Sequence, residues 1–349
     1  MINYFVPTGN LIREYLDVLG FTQKELAVRL GVSEKHLSHL VNGSSRLTEE
    51  MALKLEKVFP DMTASYWLNY EAKFREHLAR ENELKKFNEI DLKSISERFM
   101  FSKVFEGLGW SLEKQAIEML KLLKIANFSV FDKSYSNLNF SFFQDGGELE
   151  SIAIWLNLCE EQVDIQNLEV LGYKFDRQNL VQNITQFKDI ALNPDLDNSI
   201  KTCRKLCNKL GIYLVILDAI PNSKVRGAIT SYKSHPAIYI SDRFKKHDNI
   251  WFAFIHEIGH LVLHYNENQQ PMISLEESRK DLPCEEEANA FARNFFIDEN
   301  DYKNFTKIGD FSEPSIVEFA LKQNIRPGIL VARLQHDKII PWNLYSYSR

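Results

Sequence analysis

Cysteine is scarce in this chain of 349 residues: there are four, and two of them, Cys203 and Cys207, lie one helical turn apart. Four thiols so placed lack the paired framework of a secreted disulfide domain, and the second half of a zinc knuckle is missing. No apolar run approaches membrane-spanning length, and the N-terminus has no basic segment followed by a hydrophobic stretch, so a cytoplasmic protein without a membrane partner is expected. An excess of positive charge is absent too, since 42 lysines and arginines face 48 acidic residues for a net charge of -6. This excludes a nucleic-acid-binding tail. Internal repeats and low-complexity tracts are also lacking. What remains is a chain long enough for two or three domains, with 44% hydrophobic residues, ample for real cores.

The densest chemistry lies in Trp251-Phe-Ala-Phe-Ile-His256-Glu257-Ile-Gly-His260-Leu-Val-Leu-His264. Its flanks are apolar on nearly every side, which marks a core helix, and ionisable residues on such a helix need a partner. Residues four apart share a helix face, so His256 and His260 aim at one ion, here Zn2+. Glu257, about 100° further round, is placed as general base toward a water rather than as a ligand. Gly259 in mid-helix costs about 1 kcal/mol against alanine, so close backbone approach is expected at that turn, with a strand as the neighbour.

A catalytic zinc needs a third protein ligand and an open position. His264 lies two turns beyond His256, about 12 Å along the axis, and one ion cannot span all three histidines; it reads as an exposed or capping residue. A third ligand following closely on the same segment also fails, because Leu263 and Asn266 occupy the positions where a glycine and a histidine are needed. A glutamate from a second helix fits better. In Cys284-Glu285-Glu286-Glu287-Ala288-Asn289-Ala290-Phe291-Ala292 the apolar stripe puts Glu286 opposite the core and leaves Glu285 and Glu287 on its two flanks. Asn289, one turn after Glu285, is placed to hydrogen-bond a ligand from behind, which favours Glu285 with Glu287 as the alternative.

These two segments together resemble the metallopeptidase domain of the ImmA/IrrE family. The resemblance extends through Leu210 to Asp218, Val225 to Ile229 and Ala237 to Ser241, and down to Arg333-Leu-Gln-His336, covering roughly residues 150 to 345. Phe296-Ile-Asp298 departs from the Leu-Met-Pro helix end common in the family. The resemblance implies a gluzincin-like zinc metallo-endopeptidase linked to cleavage of repressor proteins, and it implies a second catalytic residue, His336, supporting an oxyanion. Upstream, Ile212 to Leu217 reads as a buried strand. Ala237 to Ser241, which alternates after Pro236, reads as an edge strand open to an extended peptide.

The first seventy residues have a different rhythm. Thr22-Gln-Lys-Glu25 is a capping box opening a helix from Gln23 to Leu30, Gly31 ends it, and Ser33 caps the next, whose inner face is Leu37, Leu40 and Val41. Ala27 is small where two helices cross, and Val32 plugs the turn. The pattern resembles the Cro/repressor (XRE) helix-turn-helix class. Pro7-Thr-Gly9, Arg46-Leu-Thr48 and Ser65-Tyr-Trp-Leu68 further resemble its HigA-type antitoxin branch. That resemblance implies a homodimer on double-stranded operator DNA, with Ser33, Lys35, His36, Ser38, His39 and Arg46 toward phosphates or base edges. Residues 1 to 80 hold five lysines and five arginines against ten acidic residues, so non-specific DNA affinity should be weak.

Between the modules, Tyr70 to Ile95 is a charged helical connector, Ala116 to Leu123 and Leu149 to Leu156 are amphipathic, and Asp132 to Gly147 reads as a surface loop. The expected fold is α+β and mostly helical. It comprises a five-helix helix-turn-helix domain (1–70), a charged connector and helical middle region (71–148), and a gluzincin-like zinc peptidase domain with a small sheet (149–349). The expected function is a DNA-binding regulator that cleaves a repressor or a toxin–antitoxin component. The alternative is an antitoxin or repressor whose peptidase-like domain serves sensing or partner binding.

Overall fold

The computed structural model describes residues 6–87, 90–136, 147–167, 170–242, 246–266, 272–275 and 283–345. The chain is mostly helical α+β, and its contacts divide it into two units, Met1–Ser94 and Ile95–Arg349. No helix among the described residues is long and apolar enough to cross a membrane.

The first unit is built from α1 (Thr8–Leu19), α2 (Gln23–Leu30), α3 (Glu34–Val41), α4 (Glu49–Val58) and α5 (Ala64–Phe87). Side-chain caps set the helix starts. Thr22 Oγ1 accepts from the Glu25 amide at 3.2 Å while Glu25 Oε2 accepts from the Thr22 amide at 2.8 Å. Ser33 and Thr48 accept from His36 and Met51 amides in the same way, and Gly31 closes α2 at φ 67°. Leu26, Ala27, Leu37, Leu40, Leu55 and Trp67 are buried in one core, with Tyr15 and Phe59 ringing the Trp67 indole. The charged stretch after Tyr70 continues α5 without a break to Phe87. Glu71, buried on α5, accepts hydrogen bonds from Thr8 and from Arg75, and Arg75 also donates to the Ser45 carbonyl at 3.2 Å. The helix that leaves the domain thus holds the loop behind α3.

The second unit begins within α6 (Leu92–Arg98) and continues through α7 (Phe101–Val104), α8 (Leu112–Leu122), α9 (Phe131–Ser134) and α10 (Leu149–Gln166). Of the surface loop expected over Asp132 to Gly147, the first residues lie in α9 and 137–146 fall outside the described residues. Then come α11 (Arg177–Asn183), α12 (Thr185–Ala191) and α13 (Leu196–Lys209), leading into β1 (Tyr213–Leu217), β2 (Val225–Tyr232) and β3 (His235–Ser241). The long apolar helix α14 (His247–Leu263) precedes β4 (Met272–Leu275), and α15 (Pro283–Phe296), α16 (Glu299–Ile308), α17 (Glu313–Lys322) and α18 (Pro327–His336) follow. Ile229, Ile238 and Ile240 of the sheet share a core with Trp251, Phe254 and Ile258 of α14.

The strand order is β1-β3-β2-β4, with β3 parallel to β1 and antiparallel to β2. The β2–β3 hairpin turns through Lys233 and Ser234, both at positive φ, the geometry whose twist suits a two-residue loop. The expectation of β3 as an edge strand is therefore wrong. Pro236 is tolerated because it stands at the start of the strand, one residue before the β1 ladder begins at Ala237. The actual flank on that side is β1, and side chains close its outer edge. Asn167 exchanges hydrogen bonds with both Leu214 backbone groups, at 3.0 and 3.1 Å, and Gln166 does the same for Ile216. On the other side the sheet ends on β4 among the described residues.

Gly9 lies where α1 meets the end of α3, and a Cβ there would stand 1.8 Å from the Val41 carbonyl oxygen. Gly9→Ala should destabilise the first unit by about 3 kcal/mol, the upper end of overpacking costs. Native-state hydrogen exchange should then speed up about 100-fold at α1 and α3 amides. Unchanged exchange would refute this contact.

Candidate functional site

Helix α14 is buried from Phe254 to Leu261, and within that stretch His256, Glu257 and His260 are 5%, 1% and 0% exposed. Against it packs α15, which opens on Pro283, a residue suited to a helix's first turn. The two cross closely at Gly259, where a Cβ would sit 3.3 Å from Ala288 Cα and 3.1 Å from Phe291 Cδ1. The neighbour that requires this glycine is a helix, not the strand expected from the sequence. Ala288 and Ala292, fully buried, supply the small residues of the opposing face.

This crossing delivers the first turn of α15 onto the two imidazoles. His256 Nε2 and His260 Nε2 are 3.0 Å apart, and Glu285 places Oε1 3.1 Å from His260 Nε2 and Oε2 3.4 Å from His256 Nε2. Among the described residues these three form the one cluster of His, Cys, Asp or Glu able to hold a metal ion. Donor atoms around a four-coordinate ion at about 2.0–2.1 Å are separated by about 3.3 Å, so the spacing fits a divalent transition metal. Burial opposes ionisation of Glu285, but the hydrogen bonds and charges of His256 and His260 outweigh it and hold the carboxyl at about 2. A charged carboxylate and two imidazole nitrogens therefore face one point.

Each of the two imidazoles is braced from behind. Asn289 Oδ1 lies 3.0 Å from His256 Nδ1, so the amide expected to support a ligand supports a histidine. His264, just past the end of α14, approaches His260 Nδ1 with its own Nδ1 at 3.1 Å, and its Nε2 lies 2.8 Å from Glu287 Oε2. Glu287 is thus engaged by His264 while Glu285 meets the cluster. Glu257 turns under β2: a Cβ on Gly227 would stand 2.4 Å from its Oε1, so only glycine lets the strand cross the carboxylate here. The ladder between β2 and β4 is irregular at Val225 and Gly227, consistent with a strand bent over a side chain. His264, expected to be exposed or to cap the helix, stands at its C-terminal cap with a side chain only 17% exposed, and Gly227 was given no role from the sequence. For His264 the signal was there, since it stands four residues after His260 on the same face.

His336 is not brought to this cluster. It ends α18 with a side chain 75% exposed, its Nδ1 3.2 Å from Asp337 Oδ1.

In the first unit, α3 presents Lys35, His36 and His39 to the outside, with Arg46 exposed beyond it. Three of the six residues named there have local duties as well. Ser33 caps α3, Ser38 Oγ accepts from Asn42 at 3.3 Å, and His39 Nδ1 lies 3.0 Å from Ser44 Oγ.

Comparison with known proteins agrees with this division. A family profile described as Helix-turn-helix matches residues 12–67, and one for the peptidase M78 group, described as IrrE N-terminal-like domain, matches residues 207–312. The chain thus carries an XRE-type helix-turn-helix domain at its N-terminus and an IrrE/ImmA-like domain nearer its C-terminus. Over 66 residues it is 44% identical to YbaQ of Escherichia coli K12, an uncharacterized HTH-type transcriptional regulator, covering 19% of this chain and 58% of that one. It is 41% identical over 58 residues to virulence-associated protein A of Dichelobacter nodosus, covering 17% and 57%. An uncharacterized HTH-type transcriptional regulator of Haemophilus influenzae is 44% identical over 63 residues, covering 18% and 58%. The chain therefore spans 58% of the length of the first of these relatives.

The cluster makes a demand on the purified full-length protein. It should take up about one divalent transition metal per chain, and Glu285→Ala should weaken uptake at least tenfold by competition with a chelator, whereas Glu286→Ala should not. Equal affinity in the two variants would show that Glu285 is not a ligand.

Proposed function

We propose that this protein is a DNA-binding transcriptional regulator whose second unit is a zinc-dependent endopeptidase acting on a protein substrate. The observation that carries the reading is the convergence of His256, His260 and Glu285 beside a buried glutamate, Glu257, on the same helix. Two histidines and one carboxylate are the donor set of hydrolytic zinc sites that keep one position open. Bound zinc supplies Lewis acidity, which polarises a scissile carbonyl and acidifies water to near neutrality. Glu257 takes the proton of the attacking water on a carboxylate oxygen and returns it to the leaving amine. Gly227 fixes where that carboxylate stands. His256 and His260 keep their Nε2 lone pairs for the ion because Asn289 and His264 engage the Nδ1 atoms.

The substrate reading follows the sheet. Peptide recognition by strand addition belongs to β4 rather than β3, because β4 is the terminal strand next to β2 and its Ser274 is paired with Gly227 above the base. Cleavage of a repressor or a toxin–antitoxin component would join the two units in one regulatory task, with the first unit as a HigA-type homodimer on operator DNA. Its α3 would enter the major groove, with Lys35 and Arg46 toward phosphates. Cytoplasmic residence accords with both activities.

The activity is tested by incubating the zinc-loaded protein with the soluble proteome of its host and sequencing new protein N-termini. The wild type should generate a discrete set that Glu257→Gln abolishes while keeping its zinc. Gly227→Ala should also keep zinc but cut more slowly, by about 100-fold, because its new methyl group displaces the base. The same termini from Glu257→Gln would reject the assignment of the base. On selected DNA, Lys35→Ala and Arg46→Ala should each lower the salt dependence of binding by about one counterion; an unchanged slope would remove those contacts from the interface.

A further inference from the structure

The geometry points to His264 and Glu287 as positioning residues that fix the tautomer of one metal ligand from the protein surface; the inference rests on the metal site proposed above. His260 is fully buried, and its two ring nitrogens have different neighbours: Nε2 faces His256 and Glu285, and Nδ1 faces His264 Nδ1 at 3.1 Å. A ligand nitrogen must carry a lone pair, so in the metal-bound state the single proton of neutral His260 is on Nδ1. That N–H donates to His264, whose Nδ1 must then be the acceptor. The proton of His264 is thereby placed on Nε2, where it donates to Glu287 Oε2 at 2.8 Å. Only this order of donors satisfies both contacts and leaves His260 Nε2 open to an ion.

The backbone around His264 is held on both sides of the residue. The His264 amide donates to the His260 carbonyl at 2.8 Å, which fixes the residue as the last turn of α14 ends. The following residue is fixed too, because Arg177 donates to the Tyr265 carbonyl at 2.6 Å. Glu287 has a side chain 62% exposed, whereas that of His264 is 17% exposed, so the relay runs from a solvated carboxylate to a ligand inside the core. The two histidine ligands are consequently supported differently, His256 by an amide oxygen and His260 by an imidazole backed by a carboxylate. A carboxylate behind a ligating imidazole raises its basicity. Here a second imidazole carries that influence one step further.

The test uses the full chain with zinc as the probe, its affinity read by competition with a chromophoric chelator, and 15N-histidine NMR to locate ring protons. His264→Leu should weaken zinc binding by about 10–100-fold, whereas His264→Asn, which restores an acceptor near the Nδ1 position, should stay within about threefold of the wild type. In the zinc-loaded wild type, His264 should carry its proton on Nε2. Equal affinity of His264→Leu and wild type overturns the proposal, as does an Asn variant as weak as the Leu variant, or a His264 proton on Nδ1. These outcomes leave the metal site standing. A wild type that takes up no zinc removes the metal site, and this inference with it.

Discussion

The close crossing of α14 and α15 at Gly259 is the constraint on which the site depends. Glu285 is on a different helix from His256 and His260, and its carboxylate reaches them because the helices approach closely at Gly259 and Ala288. A glycine in mid-helix is a local cost. It is offset by placing Glu285 and Asn289, one turn apart, so that one meets the open face of the histidine pair and the other the back of His256. A bulkier residue at position 259 would wedge the helices apart and dissolve the cluster without altering a ligand.

Around that crossing, the Nδ1 atoms of both histidines have defined partners, Asn289 for His256 and His264 for His260. The histidines are oriented by groups outside the cluster, so the approach of their Nε2 atoms is a property of the fold. The sheet contributes from the other side, since β2 passes directly over Glu257 at the one residue without a side chain. Glu257 and Glu285 are therefore positioned by different elements, β2 for the first and α15 for the second. Changes to one set are separable from changes to the other. The closed outer edge of β1, satisfied by Asn167 and Gln166, leaves β4 as the flank of the sheet next to the base.

Much of this was legible in the sequence where periodicity alone decides the outcome. The i, i+4 spacing put His256 and His260 on one face, and the stripe of α15 excluded Glu286. Capping residues marked the starts of α2 and α3 because an N-cap is a local hydrogen bond that needs no tertiary partner. What periodicity does not carry is the identity of the neighbour. Gly259 announced a close approach, but not that a helix would make it, and Ala237 to Ser241 alternated like an edge strand while the hairpin from β2 set it between β2 and β1. His264 was set aside as a ligand by its distance along the axis, yet its relation to His260 is the same i, i+4 relation that identified the site. His336, weighed through resemblance alone, ended on the surface beside Asp337. No local feature had tied it to the cluster.

Two imidazoles and one carboxylate, and no thiolate, are expected to surround the bound ion when zinc is supplied. Cys284 immediately precedes Glu285 and is only partly buried, so a sulfur donor is the natural competitor. X-ray absorption at the zinc edge of the stoichiometrically loaded protein separates the two directly. The account predicts a first shell of nitrogen and oxygen at about 2.0–2.1 Å with the multiple scattering of two imidazoles. A sulfur shell near about 2.3 Å, or a spectrum without imidazole scattering, would contradict it.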